Sequence, residues 1–298
     1  MFHPRLAFVG LGTIGLPIAA NLISAGFKMK VHTRSRKAEK DKRLKGAISC
    51  SSPKEVVKGC EVLLICVSDD EAIEEVLFSS QGAYKNLKKK SLVIDFSTIS
   101  PAKSRSIAKR LAKQNVDYID APVTGGTEGA NKGSLTIFLG CKDIFLKEII
   151  PFLKPIATNI YCFGEVGKGQ EVKAINQILV AGSYAAVAEA IALGEQLDLP
   201  MDAVIKALQT GAASSWALSN RSNAMLKDEY PLGFKLGLHY KDLSIALNTA
   251  ESIGLELPIT KKVREIEKEL ISEGFENEDV SVLKRSIRKS SVIFPKKN

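Results

Sequence analysis

Up to about residue 164 the chain alternates short β-branched, apolar runs with longer charged stretches. RLAFVG (5–10) precedes LPIAANLISAG, and KMKVHT (28–33) precedes a basic stretch expected to be helical. VLLICVS (62–68) leads to DEAIEEVLFSS, SLVIDFS (91–97) to PAKSRSIAKRLAKQ, and then comes VDYIDAPV (116–123). Short apolar runs separated by amphipathic segments imply parallel strands covered by helices on both faces. The predicted N-terminal domain, residues 1–164, is therefore a doubly wound α/β unit of Rossmann type. SLTIFLG (134–140) and NIYCFG (159–164) are expected to extend the same sheet. From residue 165 to 298 the spacing becomes helical and strands drop out. Pro200 and Pro258 suit helix starts, Gly254 and Gly274 helix stops. The second domain thus reads as all-α, and a long helix beginning near residue 167 joins the two.

The 298 residues suffice for two domains; 45% apolar and 25% charged residues are ordinary for a globular protein. A net charge of +9 arises largely from surface-type clusters such as RSRKAEKDKRLKG and the tail LKRSIRKSSVIFPKKN. No aromatic interleaving accompanies them, so solvated surface is favoured over nucleic-acid contact, while a basic surface suits an anionic substrate. The five cysteines are scattered and lack metal-binding spacing, which points to a reducing, cytoplasmic setting and to no metal site. The first strand begins too early to leave room for a signal peptide. The apolar run at 178–193 is broken by Glu189, which argues against a membrane span.

FVGLGTIG sets Gly10, Gly12 and Gly15 in G-x-G-x-x-G directly after a strand and opening a helix, with Leu11, Thr13 and Ile14 between them. Gly10 permits the tight turn, Gly12 lets main chain approach a pyrophosphate, and Gly15 lets the helix lie close to the strand. After the second strand an NAD-selective site would carry Asp or Glu for the ribose 2′-hydroxyl. Here the chain reads Thr33, Arg34, Ser35, Arg36, Lys37, with no acid before Glu39. A guanidinium and hydroxyls suit a 2′-phosphate, so NADP(H) is favoured and NAD(H) remains possible. Farther along, GKGQEVKAINQ puts Lys173, Asn176 and Gln177 on one helix face, at the start of a segment that then turns apolar. A buried ammonium is costly unless it is paired or titrates for a purpose. Thr124, Gly125 and Gly126 follow another strand and can form a main-chain nest for a carboxylate.

Four blocks in order resemble the β-hydroxyacid dehydrogenase family: GLGTIGLPIAANL, DFSTISP, DAPVTGGTEGANKGSLTIFLG with GKGQEVKAINQ, and GFKLGLHYKDLSIAL. That group includes 3-hydroxyisobutyrate dehydrogenases, tartronate semialdehyde (2-hydroxy-3-oxopropionate) reductases and glyoxylate/succinic semialdehyde reductases. The resemblance implies that Thr98 and Val67 belong to the cofactor site and that Thr124–Gly126 hold the substrate carboxylate. Many members have serine at the Thr124 position. Lys173 takes the position of the catalytic proton donor. Asn176 is the first choice for a substrate contact and Gln177 the second; tartronate semialdehyde reductases characteristically show this Asn–Gln pair. Lys241 would reach the cofactor and Asp242 orient the site, with Phe234 and Leu238 as pocket walls. Trp216 receives no chemical role. The implied activity is reversible, NADP(H)-dependent oxidation of a small 3-hydroxy acid in a homodimer or homotetramer. Glyoxylate or succinic semialdehyde reduction is the alternative. A different class, a non-catalytic NADP sensor or nucleic-acid docking module, rests on the basic tail. 6-Phosphogluconate dehydrogenases are longer and need a phosphate site, which ranks that reading low.

Overall fold

Alternate residues of the first strand, β1 (Leu6–Val9), go to opposite faces of a sheet. Leu6 and Phe8 enter one apolar core, and Ala7 and Val9 enter another. This is why the run is apolar throughout rather than alternating. The structure is a computed structural model describing residues 4–287. The last residues of the basic tail, 288–298, lie outside the described residues, and with them most of what supported a nucleic-acid docking role.

After β1 come α1 (Gly15–Ser24), β2 (Met29–His32), β3 (Ile48–Ser49), α2 (Pro53–Val56), β4 (Val62–Ile65) and α3 (Asp70–Phe78). They are followed by β5 (Leu92–Asp95), α4 (Pro101–Ala112) and β6 (Asp117–Asp120). The six strands form a parallel sheet in the order β3-β2-β1-β4-β5-β6, the doubly wound arrangement expected. The reversal of winding at β1 and β4 opens a crevice at their carboxyl ends. The basic stretch after β2 is no regular helix but two single 3₁₀ turns, Ala38–Lys40 and Lys42–Leu44. With so few apolar positions it has no face to bury.

The two later runs do not extend this sheet. β7 (Val123–Thr124), β8 (Leu135–Leu139) and β9 (Ala157–Cys162) make a second sheet in the order β7-β8-β9, with α5 (Gly126–Lys132) and α6 (Leu146–Leu153) between them. β8 pairs antiparallel with β7 and parallel with β9. An isolated bridge, Asp120 to Gly140, links the two sheets. Pro122, whose nitrogen cannot donate, interrupts the chain between β6 and β7.

α7 (Lys168–Gln196) then runs for 29 residues. The pattern changes at residue 164, yet the chain divides into compact units within α7, Met1–Asn176 and Gln177–Asn298. The opening turns of α7 belong to the first unit because Gln170 and its neighbours are bonded to the ends of β5 and β6. The second unit contains the rest of α7 with α8 (Met201–Leu208), α9 (Trp216–Lys227), α10 (Leu236–Glu251) and α11 (Pro258–Ser272). Its core includes Ala181, Tyr184, Ala188 and Ile191 of α7 with Leu236, Leu243, Val263 and Leu270. The spacing of three and four along α7 defines the buried stripe of a core helix. Gly254 and Gly274 adopt positive φ just past α10 and α11, as expected of helix stops.

Candidate active site

The turn from β1 to α1 is shaped by three glycines with separate constraints. Gly10 has φ +98°, and a side chain there would run into the Cys66 carbonyl at the end of β4. At Gly15 a side chain would strike the Gly10 carbonyl. Gly12 is exposed, with nothing within 4 Å of where its Cβ would stand. α1 has Ile14 as its N-cap without a side-chain cap; the Leu16 N–H donates to the Gly12 carbonyl at 3.0 Å and Pro17 has none, so the positive end of the helix dipole is what α1 offers an anion. Thr13 is exposed, whereas the Leu11 side chain is turned into the core, which leaves its main chain for a ligand. These residues fit a dinucleotide pyrophosphate. The exposed Gly12 and the crowded Gly10 therefore separate in a mutational test. Gly12→Ala keeps the wild-type thermal midpoint but weakens cofactor binding at least tenfold by fluorescence titration, whereas Gly10→Ala lowers the midpoint itself.

Beyond β2, Arg34 and Ser35 are exposed. Glu39, which the spacing left as a distant acid, folds back over the strand end through the first 3₁₀ turn. Its Oε1 accepts the Thr33 N–H at 3.0 Å and pairs with Arg36 Nε at 2.8 Å, and its side chain is only 4% exposed. The acid is thus committed to protein donors, while Arg34 and Ser35 stay turned to solvent.

The ends of β4, β5 and β6 are tied together by buried polar groups. The Ser97 hydroxyl accepts the Val67 N–H at 2.9 Å, and the Ser97 N–H donates to Asp95 Oδ1 at 2.9 Å. Tyr118 donates its hydroxyl to the other Asp95 oxygen at 2.8 Å. Asp120 is opposite Asp95 in the parallel register, so the two carboxyl groups project to the same face. Asp120 accepts the N–H of Gly167 at 2.7 Å and of Gln170 at 2.9 Å. It thereby caps the start of α7 from another strand. Burial pushes the Asp120 carboxyl up to about 6 against these donors, and burial together with the Asp120 charge holds Asp95 near 7. Gln170 completes the attachment: its Oε1 accepts the Ile99 N–H at 3.2 Å and its Nε2 donates to the Ser97 carbonyl at 2.8 Å. Thr98 lies between the two anchored residues. One turn beyond Gln170, Lys173 is buried to 6% exposure, and Asn176 follows on the same face. Close approach of α7 is possible because Gly169 lacks a side chain that would collide with the Phe138 carbonyl.

Thr124 ends β7, and Gly125 and Gly126 take φ of +128° and +63° where α5 begins. Only glycine holds successive residues there without strain, and Gly125, as the N-cap of α5, brings no side chain into the turn. In the second unit Gln177 Nε2 donates to Asp242 Oδ2 at 2.8 Å, and Lys241 Nζ stands 2.8 Å from Asp242 Oδ1. His239, fully buried, meets Glu267 at 2.5 Å. Burial opposes the imidazolium, but the Glu267 carboxylate outweighs it and raises the His239 pKa. Phe234 packs edge-on against His239, while Trp216 is half exposed and stacks on Arg221. Among the described residues no group of three or more His, Cys, Asp or Glu could hold a metal.

Sequence reasoning missed Asp95, Asp120 and Gln170, although each stands in a quoted block. The two aspartates open DFST and DAPV at strand ends, where a buried acid signals a special partner. His239 lies in HYKDL, but Glu267, 28 positions away, gives no local sign of the pairing.

A dinucleotide cradle at a switch point, followed by a buried lysine on a helix anchored to the ends of β5 and β6 in the same sheet, defines a nicotinamide-dependent oxidoreductase. Residues 5–164 match the family model for the NAD binding domain of 6-phosphogluconate dehydrogenase. Residues 167–287 match that for the NAD-binding domain of NADP-dependent 3-hydroxyisobutyrate dehydrogenase. The chain is 35% identical to 2-hydroxy-3-oxopropionate reductase of Escherichia coli over 95% of its own length and 97% of that protein. It is 32% identical to L-threonate dehydrogenase of Cupriavidus necator, over 94% of each. The solved structure of 3-hydroxyisobutyrate dehydrogenase from Salmonella typhimurium superposes with a TM-score of 0.86 at 28% identity, covering 95% of this chain and 99% of that one. The chain belongs to the β-hydroxyacid dehydrogenase family of NAD(P)-dependent oxidoreductases.

Proposed function

We propose that the protein interconverts a small 3-hydroxy acid and its 3-oxo acid with NADP(H), acting as a 2-hydroxy-3-oxopropionate reductase or a 3-hydroxyisobutyrate dehydrogenase. The observation that carries this reading is Lys173, buried on the turn of α7 that follows the residues capped by Asp120 and clipped by Gln170. When bound, the nicotinamide supplies or accepts the hydride. The chain's own part is to hold the carboxylate, to orient the carbonyl and to move one proton. Thr124 with the Gly125–Gly126 turn holds the carboxylate through a hydroxyl and main-chain N–H groups. The Lys173 ammonium donates a proton to the oxygen that becomes the hydroxyl, and takes it back in the oxidative direction. Asn176 is assigned to the substrate before Gln177 on the family resemblance; the Gln177 amide nitrogen donates to Asp242 Oδ2. The Asn–Gln pair and the similarity to the Escherichia coli reductase favour tartronate semialdehyde among the substrates. Activity on glyoxylate or succinic semialdehyde remains the alternative, since a methylene in the pocket changes selectivity by only about 1–3 kcal/mol. A panel of these semialdehydes assayed by NADPH oxidation tests the assignment; turnover of none of them would refute it.

NADP(H) is assigned through Arg34 and Ser35, both exposed beside a Glu39 that is occupied elsewhere. Losing a charge-assisted contact costs about 1.5–3 kcal/mol. Arg34→Asp should therefore lower kcat/KM for NADPH by roughly 10–150-fold while leaving that for NADH unchanged or higher. An unaltered NADPH/NADH ratio would remove the 2′-phosphate assignment. We also assign the protein to the cytoplasm and to a homodimer or homotetramer. Leu179 on α7 is 70% exposed and Ile175 58%, an apolar face suited to a second subunit.

A further inference from the structure

The five cysteines are all free thiols, and two of them are neighbours in space. Cys141 lies just past β8 and Cys162 ends β9, with their sulfurs 3.7 Å apart. Chain separation hides this: they are 21 positions apart, and the parallel pairing of β8 with β9 brings them together. They differ in access, since Cys141 is buried and Cys162 is partly open. Cys50 and Cys60 are bonded to main-chain carbonyls in the core on the opposite face of the parallel sheet, and Cys66 has no second sulfur beside it in any described contact.

We propose that Cys141 and Cys162 form a redox-active dithiol that closes into an intramolecular disulfide on reaction with a low-molecular-weight disulfide such as oxidised glutathione. Cys162, the accessible member, attacks first as the thiolate. One glutathione sulfur becomes bonded to Cys162 and the other leaves as glutathione thiolate. Cys141, already at 3.7 Å, then loses its proton and attacks the Cys162 sulfur, expelling the second glutathione. Two protein thiols are oxidised, one oxidised glutathione is reduced to two glutathiones, and the two thiol protons end on them. Burial pushes the Cys141 thiol up to about 12, and its hydrogen bond to Cys162 and the charge on that sulfur add to this. Formation of the mixed disulfide removes the Cys162 contribution and leaves burial as the main barrier to ionising Cys141. This division of labour, an open attacking sulfur and a buried resolving one, is what the different exposures supply.

The bond would staple the ends of β8 and β9 close to Gly140, whose N–H donates to the Asp120 carbonyl at 2.8 Å. It restricts the unfolded chain across the loop between the two cysteines, so the oxidised protein should melt several degrees higher. The test incubates the full-length protein with oxidised glutathione and reads intact mass, thiol titration and thermal midpoint. The expected product is 2 Da lighter, has lost two titratable thiols, carries a Cys141–Cys162 cross-link in its peptide map and reverts with dithiothreitol. Cys141→Ala should instead stop at the glutathione adduct on Cys162, and Cys162→Ala should take up no glutathione at Cys141. A wild-type protein that keeps all its thiols, holds a stable adduct on Cys162, or cross-links another pair would overturn the proposal.

Discussion

Replacing Lys173 with methionine should lower kcat about 10²–10⁴-fold in both directions, the range typical of a lost general acid or base. Methionine keeps the length and apolar stem of the buried side chain and removes only the ammonium, so the thermal midpoint and the affinity for NADPH should stay near wild type. Lys173→Arg is the sharper companion. Its guanidinium can donate a hydrogen bond but does not give up its proton in a protein. A variant that transferred protons would regain activity, and Lys173→Arg should not. If either variant retained wild-type kcat, the lysine would be a structural residue and the proton donor would have to be sought elsewhere.

The second large effect is expected at Asp120, which touches neither cofactor nor substrate in the present assignment and acts by positioning α7. Asp120→Ala strips the acceptor from the buried Gly167 and Gln170 N–H groups. Each unsatisfied donor costs about 1–3 kcal/mol. A loss of about 2–4 kcal/mol corresponds to a fall of roughly 5–15 °C in the melting of a unit of this size. The kcat with saturating substrate should fall as well, because the turn carrying Lys173 loses its anchor, and Lys173 itself is unaltered. The same carboxyl leaves a mark on pH dependence. Asp120 at about 6 and Asp95 at about 7 both lie above the ordinary aspartate value of 3.8. The folded protein therefore retains protons that the unfolded chain has already released. The stability linked to these groups is fully present below pH 4 and is lost as pH rises through 6 and 7. Differential scanning calorimetry should record a midpoint falling from pH 5 to pH 8, and Asp120→Asn should flatten that fall. An equal fall in the variant would mean that Asp120 is already ionised in the folded protein and adds nothing to the pH dependence over this range.

The parallel sheet was legible because its central strands β1 and β4 are apolar on both faces, a pattern that few other arrangements require. The second sheet was not. Runs such as SLTIFLG announce a strand but not its neighbours, and the two-residue β7 is too short to leave a period. The basic stretch after β2 misled for the opposite reason, since charge resembles a solvated helix face but lacks an apolar stripe to seat it. Lys173 and Asn176 were singled out because helical spacing and a costly ammonium coincide in one local segment. Glu39 was set aside by its distance from the strand, and a 3₁₀ turn returned it to Thr33. Asp120 bonding to Gly167, His239 to Glu267 and Cys141 beside Cys162 each depend on residues far apart in sequence. No local rule anticipates such pairs.

The central assignment is that the Lys173 amine exchanges the proton of the substrate oxygen. A crystal structure of the enzyme with NADP⁺ and tartronate semialdehyde, or its hydroxy-acid product, measures this directly. The account predicts Nζ within about 3.2 Å of the reacting oxygen, directly or through one water. A substrate bound with its oxygen facing another donor, and Lys173 beyond that reach, would contradict it.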